Sequence, residues 1–178
     1  MASASTIWDE GVNGDLSSNR SAPTNLNLAV GTNSLFATTN STDIDYVHFH
    51  LSAGMSLESI NFMAWTGSDQ KGFIGVQAGS TFTEPPTGTN VANLLGYAHF
   101  GPGVNVIGQD ILPSIGQGAG SIGFSGALTG SDYTFWLNQT NPSPQSYQLD
   151  FVTRAVPEPV SFIALLGASL FIKRKRKA

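Results

Sequence analysis

Cysteine is absent from the 178 residues. That excludes disulfides, thiolate metal ligands and a cysteine nucleophile, and it leaves the redox compartment open. Charge is scarce as well: Asp, Glu, Lys and Arg make up 11% of the chain, against about 25% in an average soluble domain. Before Val156 the basic residues are Arg20, Lys71 and Arg154, against eleven acidic ones, an excess of eight negative charges. Such a body repels phosphate backbones, so nucleic acid is not an expected partner. Helical periodicity is also lacking before residue 155, and polarity is carried by Ser, Thr and Asn more than by Glu and Lys. Those side chains suit strands and turns better than surface helices.

What is present is a strand-and-turn pattern. With 20 Gly and 9 Pro as punctuation, short alternating runs predict strands at 26–30, 34–39, 45–51, 57–65, 73–78, 94–100, 121–124, 133–139 and 147–153. Val47, Phe49 and Leu51 share one face of their strand, with Tyr46, His48 and His50 on the other. Tyr133, Phe135 and Leu137 alternate in the same way with Thr134, Trp136 and Asn138, and Tyr147, Leu149 and Phe151 form a third such set. One apolar and one wet face per strand describes antiparallel sheets. The expectation is an all-β domain over residues 6–154, a two-sheet antiparallel β-sandwich of jelly-roll type. Residues 101–120 read as loop, with one helical turn at 109–112. At the other end Ala2-Ser3-Ala4 matches the A-x-A pattern of a signal-peptide cleavage site. Residues 1–5 are therefore expected to be the remnant of a leader whose charged and apolar regions lie upstream.

The composition changes at residue 155. Pro157 and Pro159 bracket Glu158, residues 160–172 (V-S-F-I-A-L-L-G-A-S-L-F-I) carry no charge, and Lys173, Arg174, Lys175, Arg176 and Lys177 follow without a break. As a helix the apolar run spans about 20 Å, short of a roughly 30 Å hydrocarbon core. A core helix has no use for five adjacent cations. A membrane segment does, because Lys and Arg snorkel to headgroups and hold the cytoplasmic side.

The order Val156-Pro157-Glu158-Pro159, apolar segment, basic cluster resembles the PEP-CTERM sorting signal of exopolysaccharide-producing bacteria, which a membrane-embedded cysteine protease, the exosortase, recognises. The resemblance covers residues 155–178. It implies that Pro157, Glu158 and Pro159 are the recognition motif, 160–172 a short apolar helix inserted transiently in the membrane, and Lys173, Arg174, Lys175, Arg176 and Lys177 the stop-transfer cluster. In the body, Asp43-Ile44-Asp45-Tyr46-Val47-His48-Phe49 followed by Ala53-Gly54 resembles a strand pair of pre-peptidase C-terminal β-sandwiches, which implies the fold and no chemistry. Together these point to an exported, non-enzymatic protein of the cell surface or extracellular matrix. The alternative is a carbohydrate-binding module for exopolysaccharide.

Candidate chemistry in the body is sparse. No cofactor is expected. Trp65, Trp136 and Tyr46 are candidates for an aromatic platform that stacks on sugar rings, if they project from wet faces; the alternative is that one or more bury against loops, as large aromatics usually do. His48 and His50 share a strand face and would bind zinc or copper if a third ligand such as His99 approached. Asp43 and Asp45, with Asn40 and Ser41 nearby, offer oxygens for Ca²⁺, although turn capping is the simpler role for such a group. The stretch 118–123 spells G-x-G-x-x-G, but no helix pattern follows, so a dinucleotide-binding turn is excluded and a loop expected. Gly123-Phe124-Ser125-Gly126-Ala127 lacks the last glycine and the helix of a nucleophile elbow.

Overall fold

Period-two alternation decides which side chains meet. In the computed structural model, which describes residues 4–156, Val47, Phe49 and Leu51 point between two sheets and are at most 1% exposed. Phe135, Leu137, Leu149 and Phe151 meet them there and are completely buried. The rings of Phe49, Phe135 and Phe151 lie within 5.9 Å of one another, centroid to centroid. Each such side chain contributes about 1.5–3 kcal/mol on burial, and together they form the seam of the sandwich.

The elements in chain order are β1 (Ser5–Asp9), the one-turn helix α1 (Glu10–Asn13), β2 (Thr24–Asn25), β3 (Gly31–Thr39), β4 (Asp45–His50), β5 (Met55–Thr66), β6 (Gly72–Ala78), β7 (Gly96–Phe100), β8 (Gln109–Asp110), α2 (Leu112–Gly116), β9 (Leu128–Thr129), β10 (Asp132–Asn138) and β11 (Gln145–Ala155). One sheet runs β1-β3-β11-β5-β8, with β9 also paired to β5; the other runs β2-β4-β10-β6-β7. Setting the edge strands β1 and β2 aside, the chain passes back and forth between β3-β11-β5-β8 and β4-β10-β6-β7, the double Greek key of a jelly roll. The expected all-β sandwich is the observed architecture. Its sheets are mixed rather than purely antiparallel, because β1 runs parallel to β3 and β2 parallel to β4. Each of these edge strands is separated from its partner by a visit to the opposite sheet, which lets the two run in the same direction.

Several local expectations are corrected. Residues 26–30 lie outside any strand, and the pairing with β4 is made by the two residues before them. Residues 121–124 form no strand; Ile122 and Gly123 donate single hydrogen bonds to Leu94 O and Leu95 O. The helical turn sits at Leu112–Gly116, after β8 rather than on it, and buries Leu112 and Ile115 where it packs against β7 and β5. Its approach to β7 requires glycine at 96, and its contact with the segment that follows requires glycine at 116. A Cβ on Gly96 would lie 2.2 Å from Ile115 O, and one on Gly116 would lie 2.3 Å from Phe124 O.

The largest departure concerns the outer face of the second sheet. Tyr46 and Trp136 alternate away from the central core as expected, yet they are 2% and 4% exposed. The long connection between β6 and β7 folds back over them and inserts Phe82 and Leu94, which are also buried. Gln77 anchors that connection: its amide donates to Thr83 Oγ1 and Asn93 O, and its carbonyl accepts from Thr83 N. The sheet therefore has an apolar cluster on each side. Among the described residues no helix is long and apolar enough to cross a membrane. The predicted tail helix at 160–172, Pro157, Glu158, Pro159 and the cations Lys173, Arg174, Lys175, Arg176 and Lys177 lie outside the described residues.

Candidate functional site

The parity that buries Val47, Phe49 and Leu51 also turns Asp45, the first residue of β4, toward the interior. Asp45 is completely buried. Its Oδ2 accepts a 2.7 Å hydrogen bond from the Tyr147 hydroxyl, reached from β11 in the opposite sheet, while its Oδ1 has no hydrogen-bond partner. Two further carboxylates converge on it. Glu10 opens α1 and Asp15 follows that helix, and one oxygen from each of Glu10, Asp15 and Asp45 lies within 4.8 Å of the others. Glu10 is held in place by backbone donors, with Oε1 accepting from Leu16 N at 3.1 Å and Oε2 from Thr38 N at 2.7 Å.

The electrostatics of this group are one-sided. Among the described residues no Lys or Arg forms an ion pair with any of the three. Burial raises the Asp45 carboxyl to about 9; the Tyr147 hydrogen bond works against that shift, and the charges of Glu10, Asp43 and Asp15 add to it. Burial likewise raises Glu10 to about 7, against the pull of its two backbone donors. A groove of about 290 Å³ runs along the outer face of the first sheet beside the cluster, with Asp9, Glu10, Phe36, Thr38, Tyr147 and Gln148 in its walls. Glu10 thus joins the buried carboxylate to solvent.

No family model matches the chain, and no curated protein matches it. Among solved structures, the chain is similar to Aeromonas hydrophila PliG, a periplasmic inhibitor of g-type lysozyme, at a TM-score of 0.35 and 12% identity. That likeness covers 74% of this chain and 95% of the other. A match of that strength carries no functional statement.

The sequence-derived candidates fare unevenly in three dimensions. The aromatic platform is not assembled. Tyr46 and Trp136 are sealed beneath the β6–β7 connection, and Trp65 lies in the other sheet, packed edge-on to Phe100 at 5.5 Å with its Nε1 donating to Asp69 O. His48 and His50 do share a face, and both turn to one carboxylate oxygen: His48 Nε2 lies 3.0 Å and His50 Nδ1 3.1 Å from Asp132 Oδ1. His48 Nδ1 lies 2.6 Å from Asn25 Oδ1. His99 does not join them. It stands on β7, three strand positions from β4 in the sheet order, or roughly 14 Å at the usual strand spacing.

The Asp43 and Asp45 pair separates in role. Asp43 lies in the β3–β4 turn, where its backbone N–H donates to Asn40 O and the Asn40 side chain accepts from Thr42. Asp45 is a core-facing strand residue and caps no turn. Sequence reasoning missed Glu10 and Asp15. The local signal, Asp9-Glu10 followed by Asp15 around a Gly-Val-Asn-Gly stretch, marks an acidic turn but says nothing of which strand it will lie against.

Proposed function

We propose that this chain is a non-catalytic exported β-sandwich, with residues 155–178 serving as an exosortase-read PEP-CTERM sorting tail. The observation that carries the reading is where strand β11 stops. The β11–β5 ladder ends with Ala155 opposite Met55, and the Val156 N–H makes a last bond of 2.7 Å to Gly54 O. The motif Val156-Pro157-Glu158-Pro159 therefore begins on a residue that still bonds to the sandwich, the last of the described residues. Proline lacks the donor needed to continue a ladder and holds the chain extended, the form in which a protease accepts its substrate. A non-catalytic body fits the hydrogen-bond pattern: among the described residues no Ser or Thr hydroxyl bonds to a histidine, and His48 and His50 are committed to Asp132.

The test is mass spectrometry of the C-terminus after expression in a host that carries an exosortase. Wild type should be shortened near the motif. Glu158→Ala should still insert in the membrane but keep its full tail, and neutralising Lys173, Arg174, Lys175, Arg176 and Lys177 should weaken membrane retention or its orientation. A wild-type protein that retains its full C-terminus in that host overturns the reading.

A further inference from the structure

We propose that Glu10, Asp15 and Asp45 bind one calcium ion, which clamps the N-terminal β1–α1 segment to the β4 end of the sandwich. Three carboxylates alone make an acidic patch. The added observation is Asp45 Oδ1, an oxygen of a completely buried side chain that has no hydrogen-bond donor and belongs to the carboxylate on which the other two converge. Leaving such an atom without a partner costs about 1–3 kcal/mol, and no Lys or Arg among the described residues pairs with the group. A cation bound among the three would offset their mutual repulsion and give the buried Asp45 carboxylate a partner besides Tyr147.

The donor set selects the ion. All three ligands are hard carboxylate oxygens, which suit Ca²⁺ and Mg²⁺, and no imidazole or thiolate is present to favour zinc or copper. Oxygens bonded at about 2.4 Å on opposite sides of a calcium ion stand about 4.8 Å apart. Magnesium demands about 2.1 Å from every ligand in a near-regular octahedron and gives up its water reluctantly. The three carboxylates are within 4.8 Å of one another and come from α1, the segment after it, and β4, a loose arrangement that calcium tolerates better. Glu10 accepts one backbone bond on each oxygen, and each oxygen keeps a second lone pair for the ion. Asp15 is exposed and Glu10 lines the groove, so the ion has a route in and water can complete its shell. Tyr147 orients the innermost ligand through Oδ2, as a supporting residue that does not itself ligate.

The experiment uses the purified full-length chain, stripped with EDTA and titrated with CaCl₂, against NaCl at matched ionic strength and against MgCl₂. The thermal midpoint should rise saturably with calcium, with one ion bound per chain by calorimetry and half-saturation at about 10⁻⁴–10⁻³ M, the range of extracellular calcium modules. Asp15→Asn, at an exposed position, should weaken calcium binding by at least about tenfold. Asp45→Asn should abolish the response, while melting in EDTA close to wild type, because its amide oxygen still accepts from the Tyr147 hydroxyl. Asp132→Asn, on β10 opposite the far end of β4, should keep the full response. Terbium should bind in place of calcium with emission sensitised through Tyr147, and calcium should displace it, a readout that stands even if Asp45→Asn fails to fold. The proposal is overturned if calcium adds nothing beyond the salt control, or if Asp15→Asn responds as wild type does. In either case the three carboxylates do not form a calcium site.

Discussion

The ladder between β4 and β10 has a carboxylate at each end. Asp45 begins β4 opposite Leu137, and Asp132 begins β10 opposite His50. Asp45 points between the sheets, meets Glu10 and Asp15, and is pushed up to about 9 by burial. Asp132 sits at the wet end, and hydrogen bonds from His48 and then His50 hold its carboxyl below the usual carboxylate range. Residue type and secondary structure are the same; what differs is the company. A carboxylate among carboxylates in a low dielectric is driven toward the neutral acid or toward a cation. A carboxylate beside imidazoles in water stays ionised. A sandwich thus gives its ladder ends opposite chemistry according to what the connecting segments place against them.

Three substitutions sharpen that contrast. The largest effect belongs to the middle of the ladder, between the two acids. Phe135→Ala removes a completely buried ring that packs on Phe49 and Phe151 and should lower stability by about 3–5 kcal/mol. Urea denaturation would measure it, and a loss under about 1 kcal/mol would mean that the ends, not the seam, hold the sheets together. Next comes Tyr147→Phe. It deletes the cross-sheet donor and leaves both oxygens of Asp45 without a hydrogen bond, an expected loss of about 1–3 kcal/mol, measured in EDTA. An unchanged midpoint would show that the Asp45 end relaxes as freely as the exposed one.

The smallest effect is at Asp132, where solvent screens the interaction. Its folded value is depressed, so whatever stability it lends is present above the ordinary carboxylate value and fades as pH falls through the folded one. Asp132→Asn should move the thermal midpoint at neutral pH by about a degree at most. The difference from wild type should disappear in strong acid. A larger change at neutral pH would mean that the histidine pair anchors β10 structurally, and the contrast between the two ends would weaken.

Reading the residues in order placed some of this well. Strands β4, β10 and β11 were legible because each alternates cleanly, and the side chains assigned to the core, from Val47 to Phe151, are the ones that meet there. The same parity contained the position of Asp45, two residues before Val47, although a carboxylate on a core face reads at first as a strand end. The short partners β8 and β9 were not legible. Two residues carry no periodicity, and each is a strand only because β5 runs beside it. Burial of Tyr46 and Trp136 against a loop was one of two open readings, since alternation says which side of a sheet a residue takes and nothing about what later covers that side.

The local sequence therefore determined the strand faces and the all-β class, because each follows from a neighbour-to-neighbour pattern: alternation and turn residues. Only the tertiary structure decided that Phe82 and Leu94 would seal the outer face of the second sheet, and that Glu10 and Asp15 would come to rest against Asp45. Those contacts join segments far apart in the chain. They form when long connections collapse onto whatever apolar or polar surface the sheets present, a choice settled by the shape of the assembled sandwich rather than by any stretch of residues within it.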